Sequence, residues 1–343
     1  MDGMYFRKNA LILAILLGLS LDLFVASSAF CQEKFQIIVL GCEGGPYDSN
    51  LSSYLIAPIH SSDFVALDAG SLLEGIKIAY EKGSFADISL NPHSLLNPIG
   101  DIFQNHIKAY LISHAHLDHV SGLVLCSVAD SKKNLLAIDP VIDDLKSHLF
   151  NWKIWPNFGS EGVSPILHRY QYQRLACYET TPVPDTEISV KAFPLHHDGV
   201  PSSAFLIETN GDFVIYFGDT ESDGTRIDTK IATIWKELVP LIQKQKLHAI
   251  FLECSYSSQQ PSHHLYGHLN TTNMMNELRL LATLVDPLHK GRALKNLKVI
   301  VTHRKESLFQ GENPTKAIQE ELEKYNDLGI EFIFPHQGEK IIL

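Results

Sequence analysis

Seven consecutive residues, Ser113-His114-Ala115-His116-Leu117-Asp118-His119, constrain this chain more than any other stretch. Four side chains able to bind a metal fall within six positions, directly after the apolar run Ala109–Ile112, which reads as a strand. Where a chain leaves a strand, alternate side chains can face the same way. His114 and His116 can therefore grip one ion while Asp118 and His119 reach a second. Imidazole nitrogen with carboxylate oxygen suits zinc, manganese or iron. A fold that uses this run must bring further ligands to the same strand end.

Such ligands are present. His196-His197-Asp198 closes the apolar strand Ile188–Leu195, Asp219 follows the strand Phe213–Phe217, and His303 follows the strand Lys298–Thr302. Each alone is weak, but three strand-end candidates behind HxHxDH make a coherent dinuclear set. The chain holds no CxxC pair, which sets aside a thiolate zinc cluster or a thioredoxin-type site.

The rest of the mature chain alternates short apolar strands with amphipathic helices. Early strands are expected at residues 35–40, 53–57 and 64–67, close enough for antiparallel hairpins. Later ones are expected at 109–113, 135–138, 188–195, 204–208, 213–217, 249–253, 298–302 and 332–334. Helices are expected at 234–244, 273–284 and 315–325, the last opened by Asn313-Pro314-Thr315. No repeat or flexible linker interrupts the pattern, so it describes one α/β domain with two sheets.

Residues 1–29 read as a secretory signal peptide: Arg7 and Lys8 precede the apolar run Ala10–Leu21, and small residues follow at Ala26, Ser27 and Ala29. The run is shorter than the ~20 residues of a spanning helix. Residues 30–343 form the mature domain, expected to be periplasmic or secreted without stable membrane association. Export would permit disulfides among Cys42, Cys126, Cys177 and Cys254, though spacing assigns none. A net charge of −11 argues against a protein that holds nucleic acid.

The ligand order, HxHxDH followed by a distant histidine, a Gly-Asp-Thr aspartate and a final histidine, resembles that of the metallo-β-lactamase fold. That fold is an αββα sandwich of two mixed β-sheets flanked by helices, with metals at one sheet edge. His114–Ser127 (HAHLDHVSGLVLCS), Phe217–Thr220 (FGDT), Leu252–Tyr256 (LECSY), Leu265–Leu269 (LYGHL) and Val301–His303 (VTH) are similar to segments of the class II 3′,5′-cyclic-nucleotide phosphodiesterases, in order and over residues from about 35 to the C-terminus. This sequence departs from the family pattern at Val128, at Arg304 and at His196-His197-Asp198, where Ser-His-Gly is typical. Matching Phe193-Pro194-Leu195 to the family's apolar lead-in selects His197, rather than His196, as the ligand.

The resemblance implies hydrolysis of cAMP, with cGMP as a second substrate, to the nucleoside 5′-monophosphate by a metal-bridged hydroxide. It implies two divalent metal ions, zinc first, with manganese or iron as alternatives. His114, His116 and His197 would hold one metal, and Asp118, His119 and His303 the other. Asp219 would bridge them, Asp118 would also orient the nucleophile, and His268 would give a proton to the leaving oxygen. Asp68 and Glu253, both at strand ends, are candidates to orient ligand histidines. A homodimer is left open. Competing expectations are another hydrolase of the same fold, acting on a lactone, thioester or RNA 3′ end, and a non-catalytic periplasmic protein that binds nucleotide or metal. Trp152, Trp155, Phe158 and Tyr170 lie in a plausible lid.

Overall fold

The computed structural model describes residues 33–343; the signal peptide expected over residues 1–29 lies outside the described residues. The strands are β1 (Phe35–Gly41), β2 (Ser53–Pro58), β3 (Phe64–Leu67), β4 (Ile107–Leu111), β5 (Lys133–Ile138) and β6 (Tyr170–Leu175) in a first sheet. A second sheet holds β7 (Thr180–Pro182), β8 (Ser189–Leu195), β9 (Ser202–Thr209), β10 (Asp212–Phe217), β11 (Leu247–Glu253), β12 (Lys298–Thr302) and β13 (Glu331–Ile333). The last strand, β14 (Lys340–Ile342), returns to the first sheet.

Both sheets are mixed, and their orders mirror each other: β14-β1-β2-β3-β4-β5-β6 and β13-β12-β11-β10-β9-β8-β7. In the first, β14 through β3 pair antiparallel and β3 through β6 parallel. In the second, β10 through β13 pair parallel and β7 through β10 antiparallel.

The period-two pleat explains how the layers pack. Val214 and Tyr216 of β10, with Ala249 and Phe251 of β11, join the core between the sheets; their neighbours Ile215, Phe217, Ile250 and Leu252 join the core under the outer helices. Tyr54 of the first sheet meets Phe251 and Tyr216 of the second at centroid distances of 5.4 and 6.0 Å. Strands buried on both faces carry continuous apolar runs, as in β10 and β11. Helices Ile231–Gln243, Thr271–Val285 and Pro314–Tyr325 cover the second sheet, and Leu73–Glu81 and Leu117–Cys126 the first. This is the expected αββα sandwich.

Local expectations fare unevenly. The Asn313 side chain accepts from Lys316 N–H and Pro314 occupies the first turn, as a helix start there requires. β6, β7, β14 and the helices Leu73–Glu81 and Leu117–Cys126 were not anticipated. The second helix matters most, because Asp118 and His119 sit on its first turn rather than on a loop. Cys42, Cys126, Cys177 and Cys254 are free thiols. No helix among the described residues is long and apolar enough to cross a membrane.

The topology aims several chain exits at one edge. β10, β11 and β12 are parallel, and β8 shares their direction because both β8 and β10 run antiparallel to β9. Their carboxyl ends, at Leu195, Phe217, Glu253 and Thr302, lead into His197, Asp219, Ser255 and His303. In the other sheet β3 and β4 are likewise parallel and lead into Asp68 and the HxHxDH run. Ligand sites in α/β sheets form at such carboxyl ends.

Candidate metal centre

Ligand-capable atoms converge in two groups that share Asp219: His114, His116, His197 and Asp219, and Asp118, His119, Asp219 and His303. Within each group the atoms lie within 4.8 Å of one another. Asp219 Oδ2 is 3.5 Å from His114 Nε2, 3.7 Å from His197 Nε2 and 3.2 Å from His303 Nε2, while Oδ1 is 3.3 Å from His119 Nε2. His303 Nε2 is 3.1 Å from Asp118 Oδ2, and His197 Nε2 is 3.2 Å from His116 Nδ1. His196 is not in either group; its Nε2 hydrogen-bonds the Asp228 carbonyl at 2.8 Å.

The outer nitrogens fix the rings. His119 Nδ1–H donates to Asp68 Oδ2 at 2.7 Å, and His197 Nδ1–H donates to the Gly267 carbonyl at 2.8 Å. His114 Nδ1 lies 3.0 Å from Ser113 Oγ, which itself donates to Asp68 Oδ2 at 2.7 Å. His303 Nδ1 lies 2.9 Å from Ser255 Oγ, which donates to Glu253 Oε2 at 2.9 Å. Each sheet thus supplies a histidine–serine–carboxylate relay that leaves Nε2 as the lone-pair nitrogen facing the centre.

Among the buried side-chain atoms of the described residues that find no hydrogen-bond partner, three lie in this cluster: His114 Nε2, His119 Nε2 and Asp219 Oδ2. Orphaned buried polar atoms are costly, and here they converge on one another, which is what a ligand set for a cation looks like. The donors are nitrogen and oxygen without sulfur, and they fit a pair of divalent ions. Charge agrees with geometry. Burial, with the neighbouring His119, holds the His114 pKa well below the ordinary imidazole range, keeping the neutral form that ligation needs. Burial alone would raise the Asp219 pKa, but the surrounding His303, His119, His268 and His114 outweigh it and hold the carboxyl well below the usual carboxylate range. His119 runs the other way: burial acts against charge, yet Asp219 and Asp68 together raise its pKa, so a metal bound there would have to displace a proton from the ring.

A third grouping, Glu253, His268 and His303, differs in kind. Glu253 is fully engaged: Oε1 accepts from His268 Nδ1 at 3.0 Å, Thr220 N at 3.2 Å and Leu269 N at 3.3 Å, and Oε2 accepts from Ser255. It has the partners of an orienting carboxylate rather than a ligand. His268 stacks on His303 with centroids 4.9 Å apart and planes 22° apart. Burial lowers its pKa, but Glu253 and Asp219 overcome that and raise it, so the ring is suited to carry a proton.

Sequence reasoning missed Ser113, Ser255, Tyr216 and the Gly267 carbonyl. Ser113 was visible as the residue before the motif; the others become partners only when the two sheets meet. It also missed two close approaches. A Cβ on Gly122 would lie 2.7 Å from the Ala69 carbonyl oxygen, so glycine lets the Leu117–Cys126 helix lie against the loop after β3. A Cβ on Gly44 would overlap the His303 ring, so the loop after β1 closes over that histidine. Asp68, Asp198, Tyr266 and His303 are among the non-glycine residues with positive φ, here between 46° and 54°. Of the four aromatics in the lid region, Tyr170 and Phe158 are buried and Trp155 Nε1 donates to Ser127 Oγ, while Trp152 is exposed and its Nε1 donates to the Pro165 carbonyl.

Comparison with known proteins agrees with this geometry. A family model described as cAMP phosphodiesterases class-II matches residues 34–338. A 3′,5′-cyclic-nucleotide phosphodiesterase of Aliivibrio fischeri is 39% identical over 309 residues, covering 90% of this chain and 92% of that protein. One from Schizosaccharomyces pombe is 30% identical over 312 residues, covering 85% and 87%. The crystal structure of unliganded yeast PDE1 superposes with a TM-score of 0.77 at 24% identity, covering 91% of this chain and all of that one. The metallo-β-lactamase fold protein YhfI of Bacillus subtilis superposes at 0.57 with 14% identity over 91% of this chain and all of that one, which places the sandwich in that fold. With its matched span running from β1 almost to β14, the chain belongs to the class-II cAMP phosphodiesterases.

Proposed function

We propose that the protein hydrolyses 3′,5′-cyclic nucleotides, cAMP first, to nucleoside 5′-monophosphates at the Asp219 cluster. Water adds to phosphorus, the P–O3′ bond breaks, and the freed 3′ oxygen takes a proton. The observation that carries this is a carboxylate shared by two four-residue ligand groups, with three buried ligand atoms left without hydrogen bonds.

His114, His116 and His197 would hold one divalent ion, Asp118, His119 and His303 the other, and Asp219 both. When bound, such a pair supplies Lewis acidity at the phosphoryl oxygens and makes water a nucleophile near neutral pH. Zinc suits the nitrogen-rich donor set, with manganese and iron as alternatives. Asp118 is only partly buried and held by His303, so its carboxylate can orient the attacking water. His268, fixed through Nδ1 by Glu253, is the donor to the 3′ oxygen. An acidic chain with two divalent ions at one edge offers a locally positive pocket to a monoanionic phosphodiester. Residues 1–29 are proposed as an export signal, which would put this chemistry in the periplasm or outside the cell.

Purified protein supplied with Zn²⁺ or Mn²⁺ should convert cAMP to 5′-AMP, and a chelator should stop it. Binding of cAMP without 5′-AMP would favour a non-catalytic binder, and no binding would remove both nucleotide readings. His268→Ala should lower kcat by about 10²–10⁴-fold while metal content, measured by atomic emission, stays at the wild-type ratio. Loss of metal in that variant would make His268 a ligand instead of a proton donor.

A further inference from the structure

A cavity of about 450 Å³ adjoins the ligand cluster, lined by Asp198, Glu221, Tyr266, Gly267, His268 and Asn273 among others. It shares a wall with the centre, because the Gly267 carbonyl holds His197 and the His268 ring stacks on His303. A cyclic phosphate is fused to its ribose, so a substrate with phosphorus at the cluster must place its base about one sugar width away. The cavity has the size of a small-molecule site.

Two lining side chains stand out. Tyr266 is 62% exposed, and its backbone is left-handed at φ 50°, followed by Gly267 at φ 81°. One face of the ring stacks on His264, with centroids 6.1 Å apart and planes 5° apart, and the other is left as a stacking platform of a kind that every nucleobase can use. Asn273 is half-buried on the first turn of the helix Thr271–Val285; its backbone N–H is taken by the Asn270 side chain, but its own side-chain amide makes no hydrogen bond among the described residues. That amide offers a donor and an acceptor side by side, the complement of the acceptor N7 and donor N6 of adenine. Guanine presents two acceptors at N7 and O6, which call for lysine or arginine, and neither lines the cavity. Glu221 is already engaged, with Oε1 accepting from Asp198 N–H at 3.1 Å and Oε2 from Arg226 Nη2 at 2.7 Å.

We infer that this cavity receives the base of the substrate, with Tyr266 as its stacking face and Asn273 reading adenine. The inference rests on the cyclic-nucleotide phosphodiesterase reading and adds to it the site and the sense of base selection.

The test compares cAMP, cGMP and bis(p-nitrophenyl) phosphate, a diester without base or ribose, across wild type, Asn273→Ala, Asn273→Asp and Tyr266→Ala. The wild type should favour cAMP over cGMP in kcat/KM, and Asn273→Ala should erase about a tenfold preference, mainly through KM. Asn273→Asp, which keeps size but offers only acceptors, loses the N7 contact of adenine while still accepting from N6, so kcat/KM for cAMP should fall without a fall in the cAMP-to-cGMP ratio. Tyr266→Ala should lower kcat/KM for both nucleotides about tenfold relative to the base-free diester. Equal losses on all three esters, or an unchanged cAMP-to-cGMP ratio in Asn273→Ala, would overturn the inference. If the metal-loaded wild type turns over none of the three, the phosphodiesterase reading itself fails. Calorimetry with 5′-AMP and 5′-GMP then decides the cavity: selective 5′-AMP binding lost in Asn273→Ala supports it, and anything else overturns it.

Discussion

Asp219→Asn is expected to abolish turnover of cAMP and to lower bound metal from two equivalents to one or none. The substitution preserves the shape of the side chain and removes its charge, so what it tests is the carboxylate. Asp219 is the single residue common to both ligand groups, and its two oxygens lie 3.2–3.7 Å from the Nε2 atoms of His114, His119, His197 and His303. An amide offers one neutral oxygen and an NH2 group with two N–H donors, which would face the imidazole nitrogens in place of a ligand oxygen. The catalytic contribution of a bound Lewis acid is several kcal/mol, so kcat/KM should fall by about 10³-fold or more. A second readout does not depend on activity. Metal at ~100 times its dissociation constant stabilises the native state by about 2.7 kcal/mol, which for a domain of this size raises Tm by ~4 °C. The wild type should show that rise when Zn²⁺ is added, and Asp219→Asn should not. Two equivalents of metal retained with near-normal turnover would end the role assigned to Asp219.

Why Asp219 could be singled out from sequence, while its supporting residues could not, follows from how far each contact reaches along the chain. HxHxDH places four ligand-capable side chains in six residues, so local geometry alone assembles most of two candidate half-sites. Asp219, His303 and the His196-His197 pair each follow an apolar run, which made them candidates; the choice of His197 came from the family resemblance, and the structure groups His197, Asp219 and His303 with the motif. The double alternation of β10 and β11, with one face toward each core, made the strands easy to recognise. By contrast β6 (YQYQRL) alternates with polar residues at a sheet edge and β14 is three residues long, so neither has enough apolar pattern to show. The helix Leu117–Cys126 escaped because its first turn carries the metal motif, although Val120, Leu123 and Val124 have the i, i+3, i+4 spacing of a buried face. Ser113, Ser255 and Tyr216 support the centre only through contacts that depend on which strands become neighbours. Asp68 meets Tyr216 across 148 residues of sequence, and no local pattern encodes that meeting.

That contact carries the second large prediction: Asp68→Ala should cost the metal-free protein about 3–5 kcal/mol of stability. Asp68 is fully buried and accepts four hydrogen bonds: from Ser113 N–H and Ser113 Oγ at 2.7 Å each, from His119 Nδ1 at 2.7 Å and from Tyr216 Oη at 2.6 Å. Ser113 and His119 follow β4 of the first sheet and Tyr216 lies on β10 of the second, so one carboxylate ties the two sheets together at the metal edge. Alanine would leave those donors buried without an acceptor, and Tm should drop by about 5–8 °C. Asp68→Asn separates orientation from packing. It keeps the volume but turns one oxygen into a donor that must face either the Ser113 N–H or the cluster of donors at Oδ2. The His119 ring then loses its fixed tautomer, and metal affinity should fall by about 10–100-fold. Tyr216→Phe removes a single hydrogen bond and leaves the His119 bond in place, so it should cost about 1 kcal/mol and leave zinc affinity near the wild-type value. The measurements are thermal melting of the metal-free proteins and competition titration with a zinc-binding dye. If Asp68→Asn melts and binds zinc as the wild type does, Asp68 is a bystander, and the His119 ring must be held by the helix Leu117–Cys126 alone.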